Sequence, residues 1–139
     1  MFAQRSAAAY ATVGVETGVT TADPHKLVLM LFDGALLCVG SAKQHMVSNE
    51  IAAKGENVSK AINIIANGLK ASLDMGVGGE LAERLAALYD YMCERLLFAN
   101  MKNNPTVLEE VHRLLSELKE AWEQIGTTNA ERESIGALA

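Results

Sequence analysis

Along this chain, apolar side chains recur at steps of three and four in four long stretches, separated by short breaks rich in Gly, Asn or Pro. The period-two alternation of a strand is missing. The first stretch contains TADPHKLVLMLFDGAL, residues 21–36. Asp23, or Thr21 before it, can accept bonds from the first free backbone amides, and Pro24 takes a first-turn position where its missing N–H costs nothing. A helix is therefore predicted from Pro24 to about Met46 or Val47. Projected at about 100° per residue, its apolar positions cover about 220°, against roughly 100° for an amphipathic surface helix. One neighbour cannot cover so wide an arc. The helix is either the central member of a bundle or divided between its own core and a partner chain.

A second helix is predicted to begin between Asn49 and Glu56 and to end near Leu73, with Ile51, Val58, Ile62, Ile65, Leu69 and Leu73 inside an arc of about 80°. Ile64, Gly68 and Ala71 point elsewhere and form a thinner apolar strip. DMGVGG, residues 74–79, reads as a loop from its glycines. The third helix, Glu80 to about Ala99, carries Leu81, Leu85, Leu88, Met92, Leu96 and Ala99 on its core face, widened by Tyr89, Cys93 and Leu97 to about 180°. Asn103, Asn104 and Pro105 then break the chain, and Pro105 opens a fourth helix that runs to about Ile125. Its seam is Leu108, Val111, Leu115, Leu118, Trp122 and Ile125, and its opposite side is charged through Glu109, Glu110, Arg113, Glu117 and Glu120.

Short connections between four amphipathic helices predict an all-α, antiparallel four-helix bundle over residues 24–125. Residues 1–23 lack a sustained stripe and are punctuated by Gly14 and Gly18, which predicts a mobile N-terminal arm. The arm carries Tyr10, Val13, Val15 and Val19, apolar groups worth hiding on a groove. Residues 126–139 are small and polar and are expected to form a flexible tail.

Half of the residues are apolar and only 5% are aromatic, a composition that favours helix over sheet. The net charge of −5, with Lys and Arg dispersed among Asp and Glu, argues against nucleic-acid binding. The longest mostly apolar run is about 13 residues and is interrupted by Asp33 and Gly34, where a bilayer span needs about 20, so membrane insertion is not expected. The first residues show no hydrophobic signal core, which favours the cytoplasm. Cys38 and Cys93 fall on different helices inside apolar arcs and read as free thiols in a reducing compartment.

Bundles often house di-metal centres, which need Glu-x-x-His on two helices and an inward Glu from each of the other two. Glu109 and His112 give that spacing once, on the polar face of the fourth helix, so no metal is expected. A phosphotransfer bundle would need a surface His as acceptor. His25 lies in a first turn, where the helix dipole disfavours an imidazolium, His45 lies beside Lys43, and His112 sits on an acidic face; none has the flanking Lys and Gly of such sites. No nucleotide loop is present, since residues 74–79 follow no strand and lack the Lys-Ser/Thr ending. Asp33 reads as a solvated partner of Lys26 at the bundle edge. Surplus apolar surface without chemistry points to a binding module, neither an enzyme nor a cofactor carrier.

TADPHKLVLMLFDGAL (residues 21–36), LDMGVGGELAERLAALYDYM (residues 73–92) and SELKEAW (residues 116–122) together resemble the FliS family, the flagellin-specific export chaperones of bacterial flagella. Family members usually carry Ser where this chain has Asp23 and Tyr where it has Phe32. The resemblance implies a cytoplasmic chaperone that binds the disordered C-terminal segment of flagellin, prevents premature polymerisation and helps deliver the subunit to a component of the type III export apparatus. An extended interface is then expected, with amphipathic cargo helices lying in apolar grooves. The groove is assigned to Leu27, Met30, Leu31 and Gly34 of the first helix, Ile64 and Gly68 of the second, and Tyr89 and Met92 of the third, with Tyr10 of the arm covering or completing it. Without cargo, the same strips can pair two copies as a weak homodimer.

Overall fold

Helix α1, Pro24–Val47, starts where the sequence places it: the Asp23 carboxylate accepts the Lys26 N–H at 2.8 Å, and Pro24 fills the first turn. In a computed structural model the backbone is described for residues 23–138 and the side chains for residues 23–126, so the expected arm, Tyr10 included, lies outside the described residues. α1 ends in a left-handed Asn49, φ 61°, with Glu50 N–H donating back to His45 O at 2.8 Å and Asn49 N–H to Met46 O at 3.2 Å. This pair of bonds satisfies carbonyls that the last turn leaves free.

α2, Ile51–Ile64, continues without a break into a π-helical segment, Ile65–Lys70. There Gly68 lies against Leu31, and a Cβ on it would come within 3.0 Å of Leu31 Cδ2. α3, Met75–Lys102, begins earlier than the glycine content suggests. Asp74 caps Gly76 and Val77 at 3.1 and 3.0 Å, giving a short helical turn before a kink at Gly79. Gly79 has φ 53° and ψ −129°, a conformation essentially reserved for glycine. The helix stops at left-handed Asn103, with Asn104 N–H donating to Ala99 O at 3.0 Å, and Asn104 Oδ1 accepts Thr106 N–H as α4, Pro105–Leu138, begins. α4 carries helical backbone through the segment expected to form a tail.

α1 packs against α2 and α4, and α3 closes the ring between the same two. Lys43 meets Glu109 at 2.6 Å at one end of the α1–α4 pair while Lys119 meets Asp33 at 2.6 Å towards the other, which makes the two helices antiparallel. Lys54 to Asn100 and Lys70 to Asp90 do the same for α2 and α3. Among the described residues there is no strand, and the architecture is the expected antiparallel four-helix bundle.

The core is built from Phe32, Ala35, Val39 and Ala42 of α1, Val58 and Ile65 of α2 and its π segment, Leu96 of α3, and Leu108, Val111 and Leu115 of α4. Four residues expected on core faces are exposed: Ile51, in the first turn of α2, Leu81 (66%), just past the kink, Leu97, on the flank of α3, and Ile125, at the end of the α4 seam. An 18-residue window of the 24-residue α1 reaches a mean hydropathy of 1.4, a level that a bilayer span and the core helix of a bundle share. Its Leu31, Phe32, Ala35, Val39, Ala42 and Met46 pack into the protein core.

Candidate functional site

At the end of the bundle where α1 begins, the helices part and leave an apolar cleft. The first turns of α1, the π segment and the turn after it, the start of α3 and the distal half of α4 meet there. The cleft consists of two chambers. The smaller, about 210 Å³, lies among Pro24, Leu27, Met30 and Leu31. The larger, about 260 Å³, lies among Phe32, Leu69, Leu73, Leu81, Leu85, Tyr89, Leu118 and Ile125. Val28, Ser72 and Trp122 line both and separate them. Ser72 is the polar exception, and its hydroxyl is engaged, donating to Gly68 O at 2.6 Å. A concave, mostly apolar surface of this kind suits apolar side chains.

Burial pushes the Tyr89 phenol up to about 12, so it stays neutral on the floor of the larger chamber. On the rim, hydrogen bonding to Asp33 raises the Lys119 ammonium, which also reaches Glu123 at 3.5 Å. Asp33 thus pairs with Lys119 across helices, where the sequence suggested Lys26 on its own helix.

Both cysteines are free and half-buried. Burial raises the Cys38 thiol against the opposing field of Lys60, and raises Cys93 to about 11. Glu109 is bonded to Lys43, and no group of three or more His, Cys, Asp or Glu among the described residues could hold a metal ion.

The nine positions assigned to a groove divide by whether they line the cleft. Leu27, Met30 and Leu31 line the smaller chamber together, and Tyr89 lines the larger. Gly34, Ile64 and Gly68 lie where α1 meets α2 and the π segment: a Cβ on Gly34 would sit 3.4 Å from Ile64 Cδ1, and Ile64 is 8% exposed. Met92 is 0% exposed, in the interior, and Tyr10 lies outside the described residues. Trp122, Val28, Ser72, Leu85 and Ile125 belong to the cleft although the sequence reading did not assign them there. Trp122 already stands in the α4 seam in the sequence, but that the seam opens into a cleft at its level is set by packing.

A family described as Flagellar protein FliS matches residues 6–129. The chain is 49% identical to the flagellar secretion chaperone FliS of Salmonella typhimurium over 96% of this chain and 99% of that protein. It is 45% identical to the protein of that name from Escherichia coli, over 89% of this chain and 91% of the relative. The Bacillus subtilis flagellar secretion chaperone FliS is 36% identical, over 89% of this chain and 92% of the relative.

Proposed function

Because this chain belongs to the FliS family, whose members named above are flagellar secretion chaperones, we propose that its cleft receives the disordered C-terminal segment of flagellin in the cytoplasm. Holding that segment prevents premature polymerisation, and the complex is then delivered to a component of the flagellar type III export apparatus. The chain acts by binding and needs no cofactor or catalytic step.

The observation that carries this reading is the pair of apolar chambers, bordered by the exposed side chains of Leu81 and Ile125. A disordered segment that folds on binding must offset its ordering entropy with extensive apolar burial, and amphipathic helices supply it by setting apolar anchors into such grooves. Leu27, Met30, Leu31 and Tyr89 are the assigned residues positioned to receive the anchors. Gly34, Ile64, Gly68 and Met92 hold the walls in place from behind.

Titration calorimetry of the full chain with a synthetic C-terminal flagellin peptide tests this. Binding at micromolar concentration or tighter, with a negative heat-capacity change from apolar burial, is expected. Silence at tens of micromolar would sink the assignment.

A further inference from the structure

The first turn of α1 is fastened to α4 by a pair of reciprocal hydrogen bonds. His25 Nε2 lies 2.6 Å from Trp122 O, and since a carbonyl only accepts, Nε2 carries the hydrogen. Trp122 Nε1–H donates back to His25 O at 3.0 Å. The two rings stack with centroids 5.0 Å apart and planes within 11°. One turn further along α4, Gly126 passes so close to the imidazole that a Cβ there would overlap the His25 ring. Glycine is disfavoured inside a helix relative to Ala, but here it is what allows α4 to close over His25.

The indole held in this way is a wall of both chambers, together with Val28 and Ser72. Val and Ser side chains are short, so Trp122 is the part of the partition that a side-chain rotation can remove. The geometry points to a clasp: His25 and Gly126 position the Trp122 indole across the cleft, keep it divided into chambers of about 210 and 260 Å³, and yield when an amphipathic cargo helix enters. Swinging the indole outward breaks the Nε1–H bond to α1 and joins the chambers into one trough. A trough can take successive apolar anchors at helical spacing, which two separate chambers cannot. The identity of the cargo rests on the chaperone reading above; the closed clasp does not. His25 is a positioning residue, because it acts through Trp122.

Trp122 is the chain's single tryptophan, so its emission reports the clasp directly. Two variants open it by opposite means: His25→Ala removes the stacking ring, and Gly126→Ala drives that ring away while raising helix propensity. Both should shift Trp122 emission to longer wavelength, make it easier for acrylamide to quench, and increase binding of the apolar dye 1-anilinonaphthalene-8-sulfonate, with far-UV circular dichroism unchanged. His25→Gln, which keeps a donor for Trp122 O, should restore part of the wild-type emission. If the closed clasp leaves about 10% of molecules open, either opening variant should bind the flagellin peptide up to about tenfold more tightly.

Wild-type emission, quenching and dye binding in both variants would overturn the clasp, whatever the peptide does. So would saturating peptide binding to the wild type without a change in Trp122 emission. Freed indole in the variants, with no peptide binding to any form, would uphold the clasp and reject the chaperone reading.

Discussion

Lys54 places an ammonium group in the interior, 7% exposed, where Nζ donates to Asn100 O at 3.2 Å and to Asn103 Oδ1 at 3.1 Å. Both acceptors belong to the end of α3, where the helix dipole is negative and the last carbonyls lack intrahelical partners. Lys54→Met keeps the aliphatic stem but leaves those acceptors without their donor, and should cost about 1–3 kcal/mol in urea unfolding. Tyr89 and Cys93 predict an alkaline limit. Their folded values lie near 12 and 11, against 10.0 and 9.0 for the exposed groups, with burial as the main cause. The unfolded chain therefore loses these protons first, and stability should fall as pH rises from about 9 through 12. Tyr89→Phe should flatten the upper part of that decline, measured by thermal melting across a pH series. Within the site, Leu27→Asp should abolish flagellin-peptide binding with little change in melting, because Leu27 is half-buried at a chamber wall. Ile64→Asp should instead unfold the bundle, at a cost above about 3 kcal/mol, because a carboxylate there has no partner. A helical projection shows Ile64 and Leu27 only as apolar positions available to a groove. It cannot tell them apart because burial depends on which neighbour each side faces.

Helix ends were the most legible elements. Asp23 and Pro24 start α1, and Asn103, Asn104 and Pro105 separate α3 from α4, because caps are chemistry between residues a few positions apart. Two features escaped the pattern. The π segment Ile65–Lys70 follows an unbroken apolar period, so nothing local announces it; its Gly68 meets Leu31 of another helix. The glycines of residues 74–79 suggested a loop, whereas the Asp74 cap builds a helical turn and confines the break to Gly79. Gly79→Ala should therefore cost about 1–3 kcal/mol through backbone strain alone, since a Cβ there would meet open space. Differential scanning calorimetry would show it as a lower melting temperature. The same change at Gly55, which has ordinary helical backbone and open surroundings, should stabilise the protein by up to about 1 kcal/mol.

At the scale of the molecule, the surplus apolar arc of α1 is spent in two ways. Its Phe32, Ala35, Val39 and Ala42 side fills the core, and its first turns line a cleft that the described residues leave open. Exposed Leu37, Val77 (88%) and Met101 add apolar surface elsewhere, and exposed Leu81 adds it at the cleft border. Sedimentation velocity should detect weak self-association that diminishes when a flagellin peptide occupies the cleft; a strictly monomeric chain at high concentration would exclude pairing through these surfaces. Sequence by itself determined the helices, their order, the antiparallel bundle and the family, because apolar period, caps and short connections act over one or two turns. It also marked α1 as carrying more apolar surface than one neighbour can cover. Tertiary structure decided which of those apolar sides faces inward, and so moved Ile64, Gly68 and Met92 behind the wall and brought Trp122 and Leu85 to the cleft. The physical reason is that a helix presents all its sides equally until neighbours are packed against it. The relative lengths and offsets of four helices then fix where the bundle closes and where it stays open.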